Sequence, residues 1–112
     1  MKTTTTKKRP IRRHRTHDEA TVESFRRDPK FAAAYLNAVL EEGDRSEIMT
    51  ALRYITDAFG GVPSIAGKTG LNSTTLYRTL SANGNPELKS LMEIMKAVGM
   101  RILVEPLRTV RR

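Results

Sequence analysis

The sequence predicts an all-α fold of five principal helices, closed by one short strand and preceded by a basic, unstructured tail. Three observations predict it. From Phe31 onward, apolar residues recur at three- and four-residue spacing rather than in alternation. The stretches between them carry Asp-Pro, Gly-Asp, Gly-Gly and Asn-Gly-Asn-Pro, which act as helix caps, stops and turns. Only Arg101 to Glu105 is short, apolar and β-branched, closed by Pro106, and so reads as a strand. The implied division is a tail at 1–17, a domain at 18–107 and a loose end at 108–112.

The tail, MKTTTTKKRPIRRHRTH, offers one Ile for burial and is too polar to fold. A short helix is expected over Glu19 to Arg27. The first principal helix starts at Asp28-Pro29, because Asp accepts bonds from the free N–H groups of a first turn and Pro suits its first position. Phe31, Tyr35, Leu36, Val39 and Leu40 follow at helical spacing, and Gly43 stops the helix. Asp44 opens the second, with Glu47 placed for a reciprocal cap. Its stripe, Ile48, Leu52, Ile55 and Phe59, is core, and Gly60-Gly61 ends it. Two shorter helices, Pro63 to Thr69 and Ser73 to Ala82, flank Gly70-Leu71-Asn72. A fifth begins at Pro86, with Leu88, Leu91, Met92, Met95 and Val98 facing inward and Gly99 as its stop. No other strand is foreseen, so Arg101–Glu105 is expected to pair with its own copy in a homodimer.

Composition narrows the function. The chain has 112 residues, 38% of them hydrophobic, which suits one modest core rather than a large enclosed active site. It has no cysteine, which removes disulfides, thiolate metal sites and cysteine nucleophiles. No apolar run approaches the ~20 residues that cross a bilayer, and no hydrophobic segment follows the basic start as in a secretory signal. His14 and His17 lack a carboxylate or cysteine beside them, so no metal is expected. The acids are scattered over helix surfaces, and Glu41, Glu42 and Asp44 read as a solvated helix end. An enzyme is not expected, nor a cofactor. The net charge is +8, and residues 1–17 hold seven Lys or Arg with no acid. Such a tail attracts polyanions, nucleic acid first among them.

The informative stretch is Val62 to Leu80, VPSIAGKTGLNSTTLYRTL. Two short helices that cross steeply need a small residue at the crossing, and Ala66 supplies it. The turn four residues later needs a left-handed backbone, and Gly70 supplies that. Ile65, Leu71, Leu76 and Leu80 frame the pair with apolar anchors. Asn72, Ser73, Thr74, Thr75, Tyr77 and Arg78 are left on the outside of the second helix. These residue types suit DNA: hydroxyls and N-terminal N–H groups hold phosphate, Arg reads guanine, Asn reads adenine, and a Thr methyl touches thymine. In a helix-turn-helix the second helix lies in the major groove. The same spacing also fits an ordinary corner of two helices with an Asn-Ser cap.

Ser64 to Leu80 resembles the helix-turn-helix of the lambda-repressor (Cro/Xre-like) superfamily. Tyr35 to Pro106 resembles, more narrowly, the addiction-module antidote proteins. The resemblance is carried by YLNAVLEEGD at 35–44, TALRYI at 50–55, GLNSTTLYRTLSANGNP at 70–86 and LMEIMKAVGMRILVEP at 91–106. It implies a five-helix repressor-like domain, usually dimeric, that regulates its own operon and binds a small ribonuclease-like toxin of the RelE/ParE type. By position it puts Ser73 and Thr74 on bases, Tyr77 and Arg78 on bases or flanking phosphates, and Ser64 and Lys68 on the backbone. The expected partners are double-stranded DNA, a second copy and such a toxin, with no membrane, and the expected setting is the cytoplasm at the nucleoid. A free-standing prophage-type regulator and a helical protein-interaction module are the competing readings. The basic tail departs from the acidic or neutral lead-in of many family members.

Overall fold

A computed structural model describes residues 16–107, which form six α-helices and, among the described residues, no β-strand. Helix α1 (Thr16–Arg27) carries Asp18 and Glu19 in its first turn and Arg26 and Arg27 in its last, the order the helix dipole favours. It begins inside the segment assigned to the tail. The rest of that segment, with His14, and the residues from 108 lie outside the described residues.

Helix α1 is a full member of the core, which is why the count is six helices rather than five. Its Phe25 is completely buried and meets the rings of Tyr35 and Phe31 edge-on, at centroid distances of 5.2 and 5.6 Å. No loop separates it from α2 (Pro29–Glu42). The Asp28 N–H donates to the Ser24 carbonyl while the Asp28 carboxylate accepts from the Phe31 N–H at 3.2 Å, so one residue ends α1 and caps α2. Ala32 and Leu36 are the buried residues of α2, whereas Phe31 and Leu40, expected to join that apolar row, are largely exposed.

Helix α3 (Arg45–Ala58) is the hub, packing on α1, α2 and α4. The Asp44–Glu47 capping box forms in both directions, at 2.9 and 3.0 Å. Met49, Ala51, Leu52, Ile55, Thr56 and Ala58 are all buried. The Arg26 guanidinium donates to the Ala58 carbonyl at 3.4 Å, satisfying one of the free acceptors at the end of α3. Near the start of α1, the Tyr54 hydroxyl donates to Asp18 at 2.7 Å.

Helices α4 (Gly61–Thr69) and α5 (Ser73–Thr79) follow, then α6 (Leu88–Ala97), which packs on α4. Helix α4 starts at Gly61, two residues before Pro63. Helix α5 stops at Thr79 instead of reaching Ala82, because the Ser81 N–H and hydroxyl both turn back to the Arg78 carbonyl. The loop beyond it closes tightly over buried Gly84. A β-carbon there would land on the Thr79 carbonyl, so no larger residue fits without moving backbone.

Helix α6 begins at Leu88 rather than Pro86, with Glu87 as its cap. Its inward face is centred on Ile94, Met95 and Val98, with Leu91 half-buried. That corrects the expected stripe. Ile94 was missed, and Leu88 and Met92 lie one turn apart on the flank, 69% and 48% exposed. The expected strand does not form within the single chain. Residues 101–107 form neither helix, turn nor ladder and are exposed throughout. A strand is defined by its partner, and no other described segment of the chain supplies one.

Candidate nucleic-acid interface

Helix α4 ends where Gly70 turns left-handed, at φ 78°, with its N–H bonded to the Ala66 carbonyl. No atom would crowd a β-carbon at Gly70, so it is the backbone angle, not space, that calls for glycine. The Thr69 hydroxyl donates to the Ile65 carbonyl at 2.8 Å and accepts from the Leu71 N–H at 3.2 Å, tying the turn to the helix before it. Two residues later the Asn72 side-chain oxygen accepts from the Thr75 N–H at 3.1 Å and starts α5. Leu71 is half-buried, and Ile65, Ala66, Leu76 and Leu80 are buried between the helices and the core. The angle between α4 and α5 is thus held by a left-handed glycine, a hydroxyl clamp, an Asn cap and four buried side chains.

All eight residues singled out from the sequence, Ser64, Lys68, Asn72, Ser73, Thr74, Thr75, Tyr77 and Arg78, are exposed. They fall into two rows. Ser64 and Lys68 stand one turn apart on α4. Ser73, Thr74, Tyr77 and Arg78 form the outer face of α5, with Leu76 turned to the core. Asn72 and Thr75 are partly committed to each other through the cap.

One residue of the site escaped sequence reasoning. The Arg53 guanidinium, from α3, lies 5.0 Å from the centre of the Tyr77 ring, and Asp57 accepts from it at 3.2 Å. The Arg53–Asp57 spacing is visible in sequence, but nothing there shows that α3 reaches α5. A second signal was visible. From Ala58 to Pro86 there is no acidic residue, while Lys68 and Arg78 lie within that span. Neither holds an ion pair among the described residues. The described residues include no group of three or more His, Asp or Glu able to hold a metal. None of the described helices is long and apolar enough to cross a membrane.

The same stretch lies inside a match to a protein-family model described as "probable addiction module antidote protein", which covers residues 18–106. The chain belongs to the addiction-module antidote family. A relative from Haemophilus influenzae, itself described only as an uncharacterized protein, is 35% identical over 74 residues, spanning 66% of this chain and 75% of that one. No solved structure matches. The matched span takes in every described helix except the first two residues of α1, so the antidote unit and the helical core are the same object.

Proposed function

We propose that this antidote-family chain is the antitoxin of a toxin–antitoxin pair, and that it represses its own operon by binding DNA through α4 and α5. The observation that carries this reading is the outer face of α5. Ser73, Thr74, Tyr77 and Arg78 are exposed together on a short helix whose other side is locked by Leu76 and Leu80. In the proposed complex α5 lies in the major groove. Arg78 makes the base contact with most power to discriminate, and Thr74 offers its methyl and hydroxyl one turn before it. Ser64 and Lys68 hold phosphate and set the register.

Asn72 is assigned a positioning role. A two-bond adenine contact needs both its oxygen and its amide nitrogen, and the oxygen already caps α5. Tyr77 is held by Arg53, and both reach the flanking backbone. The seven Lys and Arg of residues 1–17 add sequence-independent attraction. The chain acts as a homodimer in the cytoplasm, on an inverted repeat with half-sites about one helical turn, ~34 Å, apart. Family membership supports a toxin partner, and a small RelE/ParE-type ribonuclease is the kind proposed.

Fluorescence anisotropy with the DNA upstream of the protein's own gene, against a scrambled duplex of equal length, tests the reading. Specific binding should exceed non-specific binding by at least about a thousandfold at physiological salt. Equal affinity for both duplexes would refute operator recognition.

A further inference from the structure

We infer that Arg101–Glu105 pairs antiparallel with the same segment of a second copy, about a two-fold axis through Leu103, so that Arg101 of each chain faces Glu105 of the other. This rests on the dimeric part of the reading above and supplies its register; it does not depend on DNA.

Three observations point to it. The segment is exposed and apolar: Ile102, Leu103, Val104 and Leu107 are 49, 66, 93 and 59% exposed. Single exposed apolar residues are ordinary, but a contiguous run of them marks an interaction surface. Among the described residues the segment is anchored at its start alone. Met100 packs against the core and its N–H donates to the Met95 carbonyl at 2.8 Å, whereas no backbone bond joins residues 101–107 to the rest of the described chain. Its own backbone donors and acceptors are therefore available to another strand.

The third observation selects the occupant. The order Arg-Ile-Leu-Val-Glu is complementary to itself when reversed. About an axis through Leu103, Arg101 meets Glu105, Ile102 meets Val104, and Leu103 meets its own copy. Each pair is of a kind that stabilises neighbouring strands. Parallel pairing would set Arg101 against Arg101 and Glu105 against Glu105. A shift of one residue would part the charges and turn the apolar residues to the opposite face. Pro106 has no N–H to donate and ends the ladder. A second copy of this chain thus meets the segment's charge order and its apolar order at once.

The test is sedimentation equilibrium of the full chain without DNA, with circular dichroism to confirm that each variant keeps its helices. Wild type should dimerise at micromolar concentration. Arg101→Glu and Glu105→Arg each replace two attractive pairs by two repulsive ones and should weaken dimerisation on the order of tenfold or more. The double variant R101E/E105R should regain wild-type association. The two single variants, mixed in equal amounts, should form mixed dimers in preference to either alone. A monomeric wild type, single variants that dimerise like wild type, or a double variant that stays weak would each overturn the proposal. A chain that passes these tests and binds no DNA would refute operator recognition and leave the dimer standing.

Discussion

The guanidinium of Arg53 lies over the ring of Tyr77, 5.0 Å from its centre, and joins the hub helix α3 to the outer face of α5. The contact lies near the surface, where such pairs contribute about 0.5–1 kcal/mol. A double-mutant cycle of Arg53→Ala and Tyr77→Ala, read by urea unfolding, should return a coupling of about that size. DNA affinity should fall in both single variants. Strict additivity would show that the two side chains are neighbours without influence on each other.

Two glycines close together in α4 and its turn should respond to alanine with opposite signs. Gly67 lies within α4 and is exposed, with open space where a β-carbon would go. Gly67→Ala should stabilise by about 0.4–1 kcal/mol, because the unfolded chain loses freedom it need not give up on folding. Gly70 sits at φ 78°. Gly70→Ala should destabilise by roughly 1–2 kcal/mol, the cost of a left-handed backbone for a residue with a β-carbon. Denaturant midpoints that move the same way in both variants would contradict the role given to the turn.

Among the described residues, Thr56 is the buried polar residue of the core, and its hydroxyl has no hydrogen-bond partner there. A desolvated hydroxyl without a partner works against folding, and valine has nearly the same shape. Thr56→Val should raise stability by about 1 kcal/mol, visible as a higher urea midpoint at unchanged slope. A lower midpoint would mean that the hydroxyl has a role in the folded state.

Tyr54 links α3 to the start of α1 through Asp18, and its phenol is raised from 10.0 to about 12, by burial first and by the hydrogen bond to Asp18 second. The folded value lies above the unfolded one. Its contribution to stability is therefore complete below pH 10 and disappears as pH rises through about 12. Wild type should lose stability over that interval more steeply than Tyr54→Phe, which has no phenol to ionise. Parallel curves for the two proteins would show that the Tyr54–Asp18 bond adds nothing to stability.

The parts of the fold legible in sequence were those fixed locally. Asp28 before Pro29, and Asp44 three residues before Glu47, decide their helix starts within a single turn, and both caps are present. Gly70 was legible because one backbone angle has one usual occupant. What depended on packing between elements was not. Leu88 and Met92 have the spacing of an inward row, yet only the placement of α6 against α4 shows that they lie on the flank and that Ile94 joins the expected Met95 and Val98 in the core. The strand expected at 101–105 does not form within one chain, because the bonds that define a strand belong to its partner. Likewise all eight candidate site residues emerged exposed from a local motif, while Arg53 came to Tyr77 only through the packing of α3.

Arg78 is the side chain on which the proposed reading of DNA by the outer face of α5 stands or falls. Arg78 is exposed, stands one turn after Thr74, and holds no ion pair among the described residues. The measurement is the affinity of wild type and Arg78→Ala for the upstream operator and for scrambled DNA, each at two salt concentrations. Loss of a two-bond contact to guanine removes roughly 1–3 kcal/mol of discrimination. Operator affinity should therefore fall on the order of tenfold or more, with the loss on scrambled DNA much smaller. Equal loss on both duplexes, with the salt slope reduced by about one, would reassign Arg78 to phosphate. If neither Arg78→Ala nor Thr74→Ala altered affinity for either duplex while the helices stayed intact, α5 would not be the DNA-reading element.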